Sequence, residues 1–241
     1  MLAIENVTRT FENGAGFKNI DLTVNEGEII GILGTSGCGK STLLRVLSGL
    51  DQGYKGTIKI NNEVITSVHE KIGMIFQEPR LMQWLTVIEN VGFGLKDRSE
   101  RKKKAQHYIH SVGLAGFENQ YPKDLSGGMA QRVAIARALV TAPEILLLDE
   151  PFSALDAFTK MKLQDLLLSI WNEFKSTLLL VTHDIDEALY LCDRILILRG
   201  QPGIVYEELK VDLPRPRARG DVSLAQLKDK ILNLLDLSKH Q

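Results

Sequence analysis

Gly34-Thr35-Ser36-Gly37-Cys38-Gly39-Lys40-Ser41 is the stretch on which the fold turns. Ahead of it, Ile29–Leu33 is almost continuously apolar, as a strand is when both faces are covered. Behind it, Leu43, Leu44, Leu47 and Leu50 share one helical face, which predicts a helix over Ser41–Leu50. Strand, glycine-rich loop and helix in that order satisfy G-x-x-x-x-G-K-[ST] in full. The glycines let the backbone curl until successive N–H groups point at phosphate oxygens. The helix adds its N-terminal N–H groups and its dipole. In such a loop Gly34, Thr35, Ser36, Gly37, Cys38 and Gly39 form the cradle. Lys40 reaches the β- and γ-phosphates, Ser41 ligates Mg²⁺, and Thr42 contacts the α-phosphate.

A second apolar strand, Ile145–Leu148, runs into Asp149 and Glu150. Set beside the first strand, its carboxyl end brings Asp149 to the Mg²⁺ and Glu150 to the water that attacks the γ-phosphate, as general base or as its orienting group.

The rest of the chain fits around these two strands. Met1–Val7, Ile20–Val24 and Thr57–Ile60 read as short early strands, and Ile72–Phe76, Leu178–Val181 and Ile195–Leu198 as buried ones. Leu163, Leu166, Leu167, Ile170, Trp171 and Phe174 mark a long helix. Strands alternating with helices predict an α/β fold with a mostly parallel sheet. The expected organisation is one domain over 1–241. Its core is 1–78 and 144–205, a helical lobe occupies 79–143, and a C-terminal extension covers 206–241. In that extension the prolines of Leu213–Arg219 oppose helix, and Leu224–Leu237 reads as an amphipathic helix.

Composition narrows the class. The 241 residues are 44% hydrophobic and 24% charged with a net charge of −1, which gives no global field for nucleic acid or an anionic membrane. Cys38 and Cys192 have no metal-ligand spacing, and their use fits a reducing cytoplasm. The first residues lack a signal-peptide pattern, and no apolar run approaches the ~18 residues that span a bilayer. The basic run from Arg98 to Lys104 lacks interleaved aromatics and reads as a solvated helix start. His107 and His110 lack a third ligand. Cys38 sits where helix N–H groups lower a thiol pKa.

Leu125-Ser126-Gly127-Gly128-Met129, followed by Ala130-Gln131-Arg132, resembles the signature sequence of ABC-transporter ATPases. The resemblance runs through residue 205 or so, with the landmarks in family order. It implies a P-loop, RecA-like core with an N-terminal antiparallel β subdomain and an inserted helical subdomain. It also implies that Ser126, Gly127 and Gly128 face the ATP of a second copy of the chain, so that two ATPs are sandwiched head to tail. Gln77 matches the glutamine that senses Mg²⁺ and the attacking water, and Asp156 the segment through which the two sites communicate. His183 matches the histidine on the γ-phosphate, and Phe11 the aromatic ring on adenine. Met129 and Thr35 depart from the usual glutamine and proline, and neither removes a phosphate donor.

A single cassette resembles importer ATPases, and the segment Met74–Val87 with the Pro-Arg-Pro-Arg tail is similar to the nitrate/sulfonate/taurine importer group. That implies MgATP hydrolysis at the cytoplasmic face of the membrane, on integral permease subunits served by a solute-binding protein. Leu81, Met82, Trp84 and Leu85 are then either core or a groove for a permease helix. The competing expectation is a soluble ABC ATPase with a mechanical or regulatory role.

Overall fold

A computed structural model of the chain describes residues 1–235. Its elements are β1 (Leu2–Thr10), β2 (Gly16–Val24), β3 (Ile29–Gly34), α1 (Lys40–Leu47), β4 (Lys55–Ile60), β5 (Glu63–Val64) and β6 (Ile72–Ile75). There follow α2 (Val87–Gly92), α3 (Arg98–Ser111), α4 (Gly127–Leu139), β7 (Ile145–Asp149) and α5 (Ala157–Phe174). The chain continues through β8 (Thr177–Val181), α6 (Ile185–Leu191), β9 (Arg194–Arg199), β10 (Ile204–Lys210) and α7 (Val222–Leu235). The last two residues of the helix expected over Leu224–Leu237 lie outside the described residues. Two compact units form: Met1–His69 with the chain from Thr177 onward, and Glu70–Ser176.

The first unit contains the antiparallel sheet β2-β1-β4-β5. In β2, Phe17, Ile20, Leu22 and Val24 are buried. The three-residue step from Phe17 to Ile20 breaks the alternation of a regular strand. The register between β1 and β2 shifts there, and Asn6 and Asn19 adopt φ of 48° and 50°. This is a bulge that re-phases the strand, and it explains why β2 starts at Gly16, ahead of the expected Ile20.

In the same unit β3 lies between β8 and β9, parallel to both, and β10 runs antiparallel on β9. Ile29–Leu33 and all of β8 are buried, as their unbroken apolar runs require. Helix α1 covers β2, β3 and β8 with Leu43, Leu44, Val46 and Leu47, and α6 covers β3 with α7 packed upon it. The expected helix over Ser41–Leu50 stops at Leu47, because Gly49 has φ 76° and its α-carbon lies against the Ser67–Val68 backbone. Strand β10 was not evident in the sequence. As an edge strand it buries only Leu209, among Glu207, Glu208 and Lys210.

In the second unit β6 and β7 are parallel, from Ile72↔Ile145 to Ile75↔Leu148. Helices α2, α3 and α4 pack together, with α4 against β6 and α5 against α4. The buried Asn90 side chain holds the turn before α2. It accepts from the Met82 N–H and donates to the carbonyls of Met82, Leu85 and Thr86. The basic run lies on α3 with Lys102, Lys103 and Lys104 exposed, the solvated helix start that the sequence implied.

Candidate nucleotide site

The phosphate loop leaves the carboxyl end of β3. Gly37 and Gly39 adopt φ of 84° and 89°, and α1 begins at the next residue. Gly39 presses on the carbonyl of Gly16, and Gly203 on that of Cys38, each so closely that a Cβ would collide. The backing is closed by Gly203 N–H donating to the Gly16 carbonyl at 2.9 Å. Gly16 and Gly203 were not singled out from the sequence. Their signal is a glycine flanked by strands, which any turn shares.

Lys40 is 8% exposed, and its Nζ donates to the carbonyls of Gly34 (2.8 Å) and Thr35 (3.0 Å). The ammonium is thereby held over the loop at a fixed point. Ser36, Gly37 and Ser41 are exposed; Thr35, Gly39 and Thr42 are half-buried. Cys38 is fully buried, and this corrects the expected activation of its thiol. Burial pushes the Cys38 pKa up, outweighing the Lys40 charge and the N–H groups of Lys40 and Cys38 that pull it down.

No hydroxyl or carboxylate caps α1, and its first turn contains no acid. The other helices differ. Thr86 and Glu89 form a capping box on α2, and Asp97, Asp156 and Asp184 cap α3, α5 and α6. Only α4 is similarly free of acids, being capped by the Ser126 hydroxyl. Among α1–α6, then, the two helices the sequence assigned to phosphate are the two that start without a carboxylate. Helix N-termini attract anions unless an acid sits there already.

His183 stands two residues beyond Val181, which pairs with Ile32, just as Gly34 stands two beyond Ile32. The histidine and the loop thus leave the same end of adjacent parallel strands, the usual place for ligands in such sheets. Phe11 lies in the turn after β1 and is 40% exposed. The Arg9 guanidinium covers its ring, Cζ lying 4.0 Å from the centroid. Arg9 went unmarked in the sequence, where nothing separates it from other surface cations.

In the second unit the same offset from Ile75↔Leu148 places Gln77 and Glu150 at one end of the β6–β7 pair. Gln77 is exposed, and Asp149 and Glu150 are half-buried. Glu150 adopts φ 46° and its carbonyl accepts from Ser153, a left-handed turn uncommon for this residue type. Gly128 is buried against Thr159, where a Cβ would come within 2.6 Å of the methyl group. Asp156 accepts from the N–H groups of Phe158 and Thr159, and hydrogen bonds from Thr159 and Phe158 hold its carboxyl below the usual range. The structure therefore brings Ser126–Gly128 and Asp156 together at the starts of α4 and α5.

The hydroxyl of Ser41, the amide of Gln77 and the carboxylate of Asp149 are hard oxygen donors, which suits Mg²⁺. Among the described residues no group of three or more His, Cys, Asp or Glu forms a metal cage. His110 instead lies 3.3 Å from Glu118.

An anion-binding loop at the end of a parallel strand, with an antiparallel sheet beside it, is the architecture of a P-loop ATPase cassette. Residues 17–153 match the ABC transporter family model, and the chain belongs to that family. It is 52% identical over 227 residues to an aliphatic sulfonates import ATP-binding protein of Pseudomonas syringae pv. syringae, covering 94% of this chain and 92% of the relative. Its counterpart in Bacillus cereus is 46% identical over 237 residues, 96% and 94% of the two chains. Among solved structures, an ABC cassette dimer in a post-hydrolysis state with ADP and Pi superposes with TM-score 0.76 at 36% identity, over 89% of this chain and 100% of that one. The Clostridium perfringens cbiO1 protein, part of an ABC transporter complex, superposes with TM-score 0.80 at 28% identity, over 99% and 96%.

Proposed function

We infer that this chain is the ATP-binding and ATP-hydrolysing subunit of an ABC importer, working as a pair that drives uptake of an aliphatic sulfonate or a similar small organic anion. The observation that carries the reading is the pair of helices, α1 and α4, that begin without a carboxylate. One chain thereby offers two different anion sites, and a head-to-tail pair uses both on each ATP. The sulfonate rests on the relatives' own substrates.

Each residue has a definite task in this reading. The loop Gly34–Thr42 wraps the phosphates, with Lys40 on the β- and γ-phosphates. Phe11 stacks on adenine. Ser41, Gln77 and Asp149 would hold Mg²⁺, which supplies charge neutralisation on the β- and γ-oxygens. Glu150 takes or orients the proton of the attacking water, and His183 donates to the γ-phosphate. Ser126, Gly127 and Gly128 bind the γ-phosphate of the ATP held by the second copy, while Asp156 fixes the start of α5 beside them.

The division into a core (1–78, 144–205), a helical lobe (79–143) and an extension (206–241) assigns the signature to the lobe. No helix among the described residues is long and apolar enough to cross a membrane, so attachment to the cytoplasmic face comes through permease subunits fed by a solute-binding protein. In the second unit a cavity of about 390 Å³ is lined by Met74, Phe76, Met82 and Phe93 together with Arg80 and Arg137. Of the cluster Leu81, Met82, Trp84 and Leu85, Leu81 is buried and Trp84 is 75% exposed. An amphipathic permease helix fits such a groove.

The test is Glu150→Gln. With MgATP it should elute as a dimer in size-exclusion chromatography and hydrolyse ATP at least about a hundredfold more slowly. Hydrolysis at the parental rate would remove Glu150 from the reaction.

A further inference from the structure

Arg9 is tied more firmly than a surface arginine at the end of a strand requires. Its Nε donates to both carboxylate oxygens of Asp51, at 3.0 and 2.9 Å, and its Nη1 to the Thr10 carbonyl at 3.2 Å. The side chains are 21% and 16% exposed. Gly53 leaves room for the guanidinium, since a Cβ there would come within 3.0 Å of Cζ. The Gly53 N–H also donates to Asp51 at 2.9 Å. Burial raises the Asp51 pKa, but hydrogen bonds from Arg9 and Gly53 outweigh it and hold the carboxyl below its usual range.

Asp51 is anchored in turn to the far end of the phosphate-binding helix, its N–H donating to the Arg45 carbonyl at 3.1 Å. Helix α1 has eight residues and so spans about 12 Å. Its first residues follow the loop that takes phosphate, and its last turn holds Asp51, which holds Arg9, which covers one face of Phe11. The turn after Phe11 runs into Gly16, whose carbonyl lies against Gly39 at the start of α1. Phe11 is therefore tied to both ends of α1, its ring through Arg9 and Asp51 and its backbone through the turn to Gly16.

We propose that Arg9 is a positioning residue for the nucleotide base: the Arg9–Asp51 pair fixes the Phe11 ring at a set distance from the phosphate loop, so that adenine and phosphates are read together. The proposal rests on Phe11 as the adenine platform. The guanidinium occupies one ring face by a cation–π contact and leaves the other to the base. Replacing Arg9 releases the ring without touching a phosphate donor.

The experiment compares binding of MgATP with that of magnesium tripolyphosphate, the same kind of anion without adenosine, by competition calorimetry on the full chain. Arg9→Gln should raise the Kd for MgATP about tenfold and that for tripolyphosphate less than about twofold. Asp51→Asn should move the two ligands in the same pattern. Arg9→Lys keeps the charge but loses the planar fork, and should fall between wild type and Arg9→Gln. Equal weakening of both ligands would mean general damage to the fold and would overturn the proposal, as would no change in either. Phe11→Ala separates the two readings. If it weakens MgATP while Arg9→Gln does not, the Arg9 proposal alone fails; if Phe11→Ala leaves MgATP binding intact, the adenine platform falls and the Arg9 proposal with it.

Discussion

Helices α1 and α4 begin in different ways for what we infer is the same purpose. Helix α1 starts after Gly39, in the left-handed region at φ 89°, with Lys40 as its first residue. No side chain from the N-cap reaches its N–H groups. Helix α4 starts after Ser126, whose Oγ accepts from the Met129 N–H at 3.3 Å, and its first two residues are Gly127 and Gly128. One terminus is uncapped and framed by its own glycine-rich loop. The other satisfies one of its own N–H groups and still presents a hydroxyl proton. An open terminus surrounded by its own loop can hold a phosphate alone, whereas in our reading a self-capped one completes a site that another chain supplies.

This comparison fails if α1 can be disarmed without effect. Lys40→Ala removes the one buried ammonium in the loop. It should abolish hydrolysis and the thermal stabilisation by MgATP, which is on the order of 2.7 kcal/mol at a hundredfold excess over Kd. An undiminished melting shift would take the phosphate loop out of the site.

Helix α4 permits a finer test, because its two functions can be set against each other. Aspartate caps a helix about as well as serine, but it brings a negative charge to the place assigned to a γ-phosphate. Ser126→Asp should leave the melting temperature within about 2 °C of wild type, since the cap is retained. It should lower hydrolysis by roughly 10²–10³ and prevent the ATP-dependent dimer. The reverse exchange on α3, Asp97→Ser, should change neither. Full activity in Ser126→Asp would reduce the Ser126 hydroxyl to a structural cap.

Much of this arrangement was legible in the sequence because it is local. An apolar run followed by glycines or acids marks a buried strand and what stands at its end, and β3 and β7 follow that rule, while β8 is an apolar run followed by Thr182 and His183. What escaped depends on distant partners. The bulge at Asn19 hides the first half of β2 from a period-two reading. Strand β10 carries Glu207, Glu208 and Lys210 around its one buried residue, Leu209, because an edge strand needs few buried side chains. Arg217 lies in a stretch that reads only as extended, yet it is 6% exposed and donates to the carbonyls of Leu189, Tyr190 and Cys192 at the end of α6. A cation suits the carbonyl end of a helix, but no spacing rule places an arginine there from a distance of some 25 residues.

The smallest expected effect concerns the thiol beside the α1 terminus. A helix N-terminus and a nearby ammonium usually favour a thiolate. Cys38 has both, with Lys40 Nζ 3.9 Å from its sulfur, yet burial is the larger influence and its pKa is raised. The folded chain therefore holds the Cys38 proton more tightly than the unfolded chain does. At pH 8 the thiolate is scarcer in the native protein, and any stability this group contributes is lost only as pH rises past the ordinary thiol range. Iodoacetamide at pH 8 should modify native Cys38 at least about tenfold more slowly than the urea-unfolded chain. Cys192, equally closed to solvent, should be slower still, because burial pushes its pKa up further. Rapid native labelling of Cys38, resolved by peptide mass spectrometry, would mean that the α1 terminus presents the thiol outward. The open N-terminus would then be directed at its own loop rather than at a phosphate, and the contrast with α4 would lose its basis.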